Sequence, residues 1–134
     1  DYFTKPGDIL LRLSVPYTAT VIVDENKDLL VSAHFSIIRT DPKEIAPAFL
    51  AWWLTKNKKF FYQSASGTSM LGTISSGYIA DMKFSPPPIE RQRQAGALLM
   101  MMKREQQLLT KLAEEKKKLI NAVINMNLQE DKPL

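Results

Sequence analysis

The first forty positions alternate short apolar runs with polar turns. Ile9 to Leu13 and Ala19 to Val23 are β-branched and aliphatic runs separated by the turn-prone Ser14-Val15-Pro16-Tyr17, which predicts two strands. Asp24-Glu25-Asn26-Lys27-Asp28 is a polar connection, after which Leu29-Leu30-Val31 and Phe35 to Ile38 supply further strand material up to Arg39. A small sheet of three or four strands is expected. Asp41-Pro42 breaks it, and Pro47 suits a first helical position because its missing N–H would be unpaired there in any case. From that point Phe49, Leu50, Trp53 and Leu54, then Phe60 and Phe61, recur at helical spacing. A helix over about 47–63 would bury that stripe on the sheet and leave Trp52, Lys56, Lys59 and Gln63 on another face. Ser64 to Ser76 has no regular period and reads as a loop.

Ser85-Pro86-Pro87-Pro88 is the sharpest punctuation in the chain, since consecutive prolines enforce extended backbone. After it there is no proline until Pro133 and the only glycine is Gly96, so one helix can run from Ile89 to about Asn125. With heptad a at Ala95, Met102, Leu109, Lys116 and Val123, position d falls on Leu98, Glu105, Leu112, Leu119 and Met126. Eight of those ten positions are apolar. A seven-residue repeat of this kind calls for a second helix packed along it, and the preceding domain is too small to cover it all. Leu98, Met102, Leu109, Leu112, Leu119 and Val123 are the expected dimerisation residues, with Glu105 and Lys116 as polar interruptions that could set register. The Met100-Met101-Met102 run is read as gap-filling packing.

A chain of 134 residues, 45% hydrophobic and 24% charged, can bury a core without metal or disulfide support, and it contains no Cys. No apolar run approaches the ~20 residues of a membrane span and no signal peptide opens the sequence, so a cytoplasmic location is expected. The net charge is +4. Most of the excess lies beyond Pro88, yet no acidic residue occurs between Glu44 and Asp81, a window holding Lys56, Lys58, Lys59 and many hydroxyls. A surface made from that window suits a polyanion such as nucleic acid, while a solvated loop has the same composition.

Catalytic constellations do not emerge. The single histidine, His34, sits in a strand-like segment and reads as a hydrogen-bonded structural residue, so no two-histidine metal site exists. Gly67-Thr68-Ser69-Met70-Leu71-Gly72 lacks the Lys of a phosphate-binding loop. Asp24 and Glu25 lie in a surface turn, and no nucleophile elbow is found. The chain is expected to be a non-enzymatic binding module without cofactor or metal.

Pro6-Gly7-Asp8-Ile9-Leu10-Leu11-Arg12, then Leu30 to Arg39, then Pro47-Ala48-Phe49-Leu50-Ala51-Trp52-Trp53-Leu54 follow one another in an order that continues with Gly67-Thr68, Ile74-Ser75 and Pro86-Pro87-Pro88-Ile89-Glu90-Arg91-Gln92. This order resembles the specificity (S) subunit of type I restriction-modification systems, over residues 5 to about 125. The resemblance implies an α+β fold: a small mixed α/β target recognition domain over 1–88, incomplete at its N-terminal side, one long coiled-coil helix over 89–128, and a disordered tail over 129–134. Family members carry a longer recognition domain, and two of them per chain joined by antiparallel helices. With one helix, and with Asp1 rather than Met at its start, this chain reads either as a C-terminal fragment or as a half-length subunit that homodimerises. Arg91 stands where the family has an acidic residue.

The implied function is reading a short base sequence in double-stranded DNA while the helix docks methyltransferase (M) subunits, which bind S-adenosylmethionine, and a restriction (R) subunit, in the cytoplasm of a bacterium or archaeon. Under that reading Lys56, Lys58 and Lys59 bind phosphates, and Gln63, Ser64, Ser66, Thr68 and Ser69 offer groups for base edges or backbone. Gly67 lets the main chain approach closely, and Gly67-Thr68 reads equally well as a tight supporting turn. Arg12 is a further candidate, whereas Trp52 and Tyr17 are expected in the core. The alternative is a truncated relative that serves as a helical assembly adaptor without reading DNA.

Overall fold

A computed structural model describes residues 2–57 and 74–130 of the chain. Its sheet is built around Ile9–Arg12 (β1), where Ile9 and Leu11 are fully buried and alternate with half-buried Leu10 and Arg12, the two-residue period of a strand with one face on the core. β1 pairs antiparallel with Ala19–Val21 (β2) on one side, Ile9 opposite Val21, and with Phe35–Ile38 (β3) on the other, Ile9 opposite Ile38. Among the described residues the sheet has three strands in the order β2-β1-β3. The most apolar strand is central, and the edge strands are only three and four residues long.

Gly7 (φ 86°) turns the chain into β1 from a backbone region that favours glycine, and its N–H donates to the Ile22 carbonyl at 2.9 Å. Leu29-Leu30-Val31 does not form the expected strand: Leu30 makes only an isolated bridge to Phe3. Thr4 accounts for this. Its buried hydroxyl donates to the Asn26 carbonyl at 2.7 Å and accepts from the Leu29 N–H at 2.9 Å, so a side chain takes a backbone group that a ladder would need. Asp28, at φ 59°, bends the chain immediately before it. Asp24–Asn26 is a single 3-10 turn with Asp24 and Glu25 exposed.

Pro47–Lys56 (α1) begins with proline at its first turn, as its sequence predicts, and packs on β2 and β1. Phe49, Leu50, Ala51 and Leu54 are its buried face. Leu50, Ala51 and Leu54 join Ile9, Leu11, Leu13, Tyr17 and Ile74 in the core, with the Phe84 and Trp53 rings tilted against each other at 4.6 Å. The helix is shorter than expected. Asn57 is its C-cap, and both the Asn57 N–H (3.0 Å) and its side-chain amide (2.8 Å) donate to the Trp53 carbonyl, which closes the last turn. Phe60 and Phe61 lie outside the described residues. Ser76–Ala80 (α2) is a single short helix, its N-cap Ser75 hydroxyl accepting from the Tyr78 N–H at 3.1 Å.

Ile89–Glu130 (α3) starts directly after the three prolines and runs unbroken for 42 residues, passing Asn125 by more than a turn. The chain divides into two compact units, Asp1–Leu99 and Met100–Leu134. The first contains the sheet, α1, α2 and the opening turns of α3; the second contains the rest of α3. The architecture is α+β, a small three-stranded antiparallel sheet with helices and one long C-terminal helix. Among the described residues no helix is long and apolar enough to cross a membrane.

Candidate nucleic-acid interface and pairing helix

Of the ten expected nucleic-acid contacts, the described residues include Arg12 and Lys56. Arg12 is the last residue of β1, half-buried, with its Nε directed at the Ser14 hydroxyl at a long 3.5 Å. Lys56 is exposed at the end of α1, and its ammonium lies 5.3 Å from the centroid of the Trp52 ring. A cation over an indole face is held by the ring quadrupole at a cost in mobility but keeps its charge toward solvent. Lys58, Lys59, Gln63, Ser64, Ser66, Gly67, Thr68 and Ser69 lie outside the described residues.

Two expectations about the aromatic and imidazole side chains need separate treatment. Tyr17 is fully buried in the core, as expected. Trp52 is not a core residue: 39% of it is exposed, with one side against Phe49 at 6.0 Å and the other beneath Lys56. The core-facing side of the helix is taken by Leu50, Ala51 and Leu54, and position 52 falls away from it. His34 is also exposed rather than packed, because it precedes β3 in a turn whose backbone carbonyl, not its ring, accepts from the Leu13 N–H at 2.9 Å.

Two polar constellations were not singled out from sequence. Asp8 is buried just before β1, and Arg39 lies just after β3; the Ile9–Ile38 pairing sets them side by side. Arg39 donates through Nε to Asp8 Oδ1 at 2.8 Å and through Nη2 to Oδ2 at 3.0 Å, a two-pronged pairing, while Nη2 also reaches the Phe3 carbonyl at 2.8 Å. The Lys5 N–H donates to Asp8 Oδ2 at 2.7 Å. The hydrogen bond to Asp8, foremost, and its charge raise the Arg39 pKa further above its already high value against some desolvation. The cluster fastens residues 3–5 to the sheet. A signal was available in the strand register, which neighbours Asp8 with Arg39 once Ile9 is set opposite Ile38.

Gln92, one turn into α3, is 1% exposed. Its Oε1 accepts from the buried Ala46 N–H at 2.9 Å, and its Nε2 donates to the Pro87 carbonyl at 2.8 Å and the Glu44 carbonyl at 3.3 Å. One amide thus joins the segment before α1, the proline run and the long helix. Four residues on, Gly96 lets α3 approach α1 closely: a Cβ there would sit 3.4 Å from the Ala48 Cβ. Position 92 reads from sequence as one more polar residue on a helix surface, which is why periodicity passes over it.

Along α3 the expected pairing residues Leu98, Met102, Leu109, Leu112, Leu119 and Val123 are each between 48% and 68% exposed in the chain. Among the described residues, no group of three or more His, Cys, Asp or Glu is placed to hold a metal.

No family model matches the chain, and no curated protein matches it in sequence. Its fold does have a solved counterpart. A chain in a structure described as the "structural basis underlying complex assembly and conformational transition of the type I R-M system" superposes with a TM-score of 0.62 at 18% identity. The match covers 98% of this chain and 35% of that one, so this chain spans about a third of its neighbour's length. At that identity the likeness is one of fold, and it takes in both the sheet-bearing unit and the long helix.

Proposed function

We propose that this chain is a DNA sequence-recognition (specificity) subunit of a type I restriction-modification system. The observation that supports this reading best is a fold shared over nearly the whole chain with a chain in a type I R-M structure. The ordered sequence motifs from Pro6-Gly7-Asp8 to Glu90-Arg91-Gln92 point the same way, and they do so independently of the superposition. Under this reading the unit built on β1 to β3 reads bases, with Lys56 and Arg12 among its phosphate or base contacts. The exposed edge of α3 pairs with a second helix and offers its outer faces to methyltransferase and restriction subunits. The chain itself performs no chemistry; S-adenosylmethionine is held by the methyltransferase subunit.

The length of α3 gives the reading a dimension. Its 42 residues extend about 63 Å at ~1.5 Å per residue. Two recognition units held by a pair of such helices reach half-sites more than one DNA turn of roughly 34–36 Å apart, separated by bases that neither unit reads. Two identical units would read a palindromic pair.

The test is co-expression with methyltransferase subunits of the same system in a host lacking adenine methylation, followed by genome-wide mapping of methyladenine. Methylation confined to one bipartite sequence is expected. A stable complex that leaves the genome unmethylated would identify an assembly adaptor instead, and the absence of any complex would overturn the assignment.

A further inference from the structure

Beyond the head, α3 is divided lengthwise by charge as well as by polarity. With ~100° of rotation per residue, Lys103, Arg104, Lys111, Lys117 and Lys118 fall within ~140° of one another, on one face. The other positions of that face between Lys103 and Lys118 are Gln107, Thr110 and Glu114, so it carries no apolar side chain; Glu115 borders it. Leu109, Leu112 and Ala113 lie on the opposite side, together with Glu105. Arg104, Lys111, Lys117 and Lys118 are exposed and Lys103 is half-buried. The Lys118 ammonium lies 3.3 Å from Glu115 Oε1, in a pair whose side chains are both more than half exposed. Arg104, Lys111 and Lys117 take part in none of the ion pairs among the described residues.

A shaft that needed only solubility would be served by interspersed signs, whereas five cations against one acid on a single face build a positive potential along it. The stripe is ~22 Å long at ~1.5 Å per residue, and Arg104, Lys111 and Lys118 follow one another every ~10 Å. Duplex DNA carries one phosphate charge per ~1.7 Å of its axis, so a stripe of this length passes about a dozen of them. A protein partner fits less well. Protein interfaces centre on apolar and aromatic anchors and are depleted in lysine, and this face has four lysines and no anchor. Protein–DNA interfaces are polar and strongly cationic. Because the stripe lies opposite the apolar edge, a helix that covers the edge leaves the stripe open.

We infer that this face of α3 is a second DNA contact, binding phosphates along the bases that no recognition unit reads and carrying no sequence information of its own. The inference rests on the DNA-reading role proposed above and reserves one outer face of α3 for the duplex rather than for another subunit.

The test compares the full chain, assembled with its methyltransferase subunits, with a variant carrying Arg104→Gln, Lys111→Gln and Lys117→Gln, changes that remove charge but keep helix propensity. Fluorescence anisotropy is read on a duplex holding the methylated sequence and on one lacking it. Both affinities should fall roughly tenfold or more at about 0.1 M salt, with a salt slope shallower by about 3. The methylated sequence and the mass of the complex should not change. Unaltered affinity and slope in an intact complex overturn the inference and leave DNA reading in place. Loss of the complex assigns the face to a protein partner and overturns it as well. An unaltered complex that binds no DNA overturns both readings. Position is checked separately, since the chain contains no cysteine. An aryl azide attached to Lys111→Cys should cross-link to the duplex on illumination, and one on Leu109→Cys, across the helix, should not. Equal cross-linking from the two sites, or none from Lys111→Cys, overturns the contact.

Discussion

Replacing Gln92 by leucine should destabilise the sheet-bearing unit by about 2–4 kcal/mol, and the figure follows from what each lost bond leaves behind. The substitution roughly preserves volume, so little cavity is created. The Ala46 N–H, which now donates to Oε1 at 2.9 Å in a buried setting, would have no acceptor, and stranding a buried donor costs about 1–3 kcal/mol. The Pro87 and Glu44 carbonyls are only partly buried, so water can replace Nε2 for them and the loss there is about 0.5–1.5 kcal/mol in all. Trp52 and Trp53 both lie on α1, so tryptophan fluorescence during urea unfolding reports this unit rather than the distal part of α3. The expected result is a lower midpoint with an unchanged slope. Gln92→Glu adds a check of sign. A carboxylate facing two carbonyl oxygens favours its protonated form in the folded state, so this variant should gain stability as pH falls through the carboxyl range and lose it as pH rises. A Gln92→Leu midpoint equivalent to less than about 0.5 kcal/mol, the usual range of a surface change, would show that the amide does not hold these segments together.

Other substitutions probe the remaining features. Lys56→Ala combined with Lys59→Ala should lower DNA affinity in the assembled complex uniformly across sequences and reduce the salt slope by about 2, measured by fluorescence anisotropy at several salt concentrations. Arg39→Ala frees the Phe3 carbonyl and leaves Asp8 without its cation, so the amides of residues 3–5 should exchange faster in hydrogen-exchange mass spectrometry while those of β1 stay protected. Because the pairing raises the Arg39 pKa, its contribution is lost on the alkaline side only as pH rises through that raised value, so alkaline titration through the lysine range should leave it intact. Gly96→Ala should be nearly neutral by thermal melting, the helix gain of about 1 kcal/mol being offset by a tight contact with Ala48, whereas Gly96→Leu should lower Tm clearly.

Features governed by near neighbours were readable in the chain. The strands β1 to β3, the start of α1 at Pro47 and the start of α3 at Ile89 each follow from local runs or prolines, and the exposed edge of α3 follows from a repeat confined to one helix. What escaped depends on a distant partner or a single side chain. Leu29-Leu30-Val31 has strand composition, yet the hydroxyl of Thr4, 25 residues upstream of Leu29, decides its bonding. The C-terminal end of α1 is set by Asn57 turning back on Trp53, although the apolar spacing continues past it in sequence. Gln92 satisfies three backbone groups from two segments that only tertiary structure brings to it, and its neighbours Arg91 and Arg93 make it look solvated. Trp52 was misplaced because a bulky apolar residue one step off the buried stripe is drawn as core by composition and as surface by geometry. Of the candidate DNA contacts, Lys56 was found by charge alone, and charge does not reveal that an indole ring lies under it.

The docking of Gln92 and Gly96 has an engineering consequence. Because the first unit continues to Leu99, the opening ten or so residues of α3 belong to that unit, fastened through Gln92 to Glu44, Ala46 and Pro87. A chimera joined at the prolines would sever that packing and yield a head that melts early. A splice after Leu99 carries the whole fastening with it, so heads of differing preference could be exchanged on one shaft at that point.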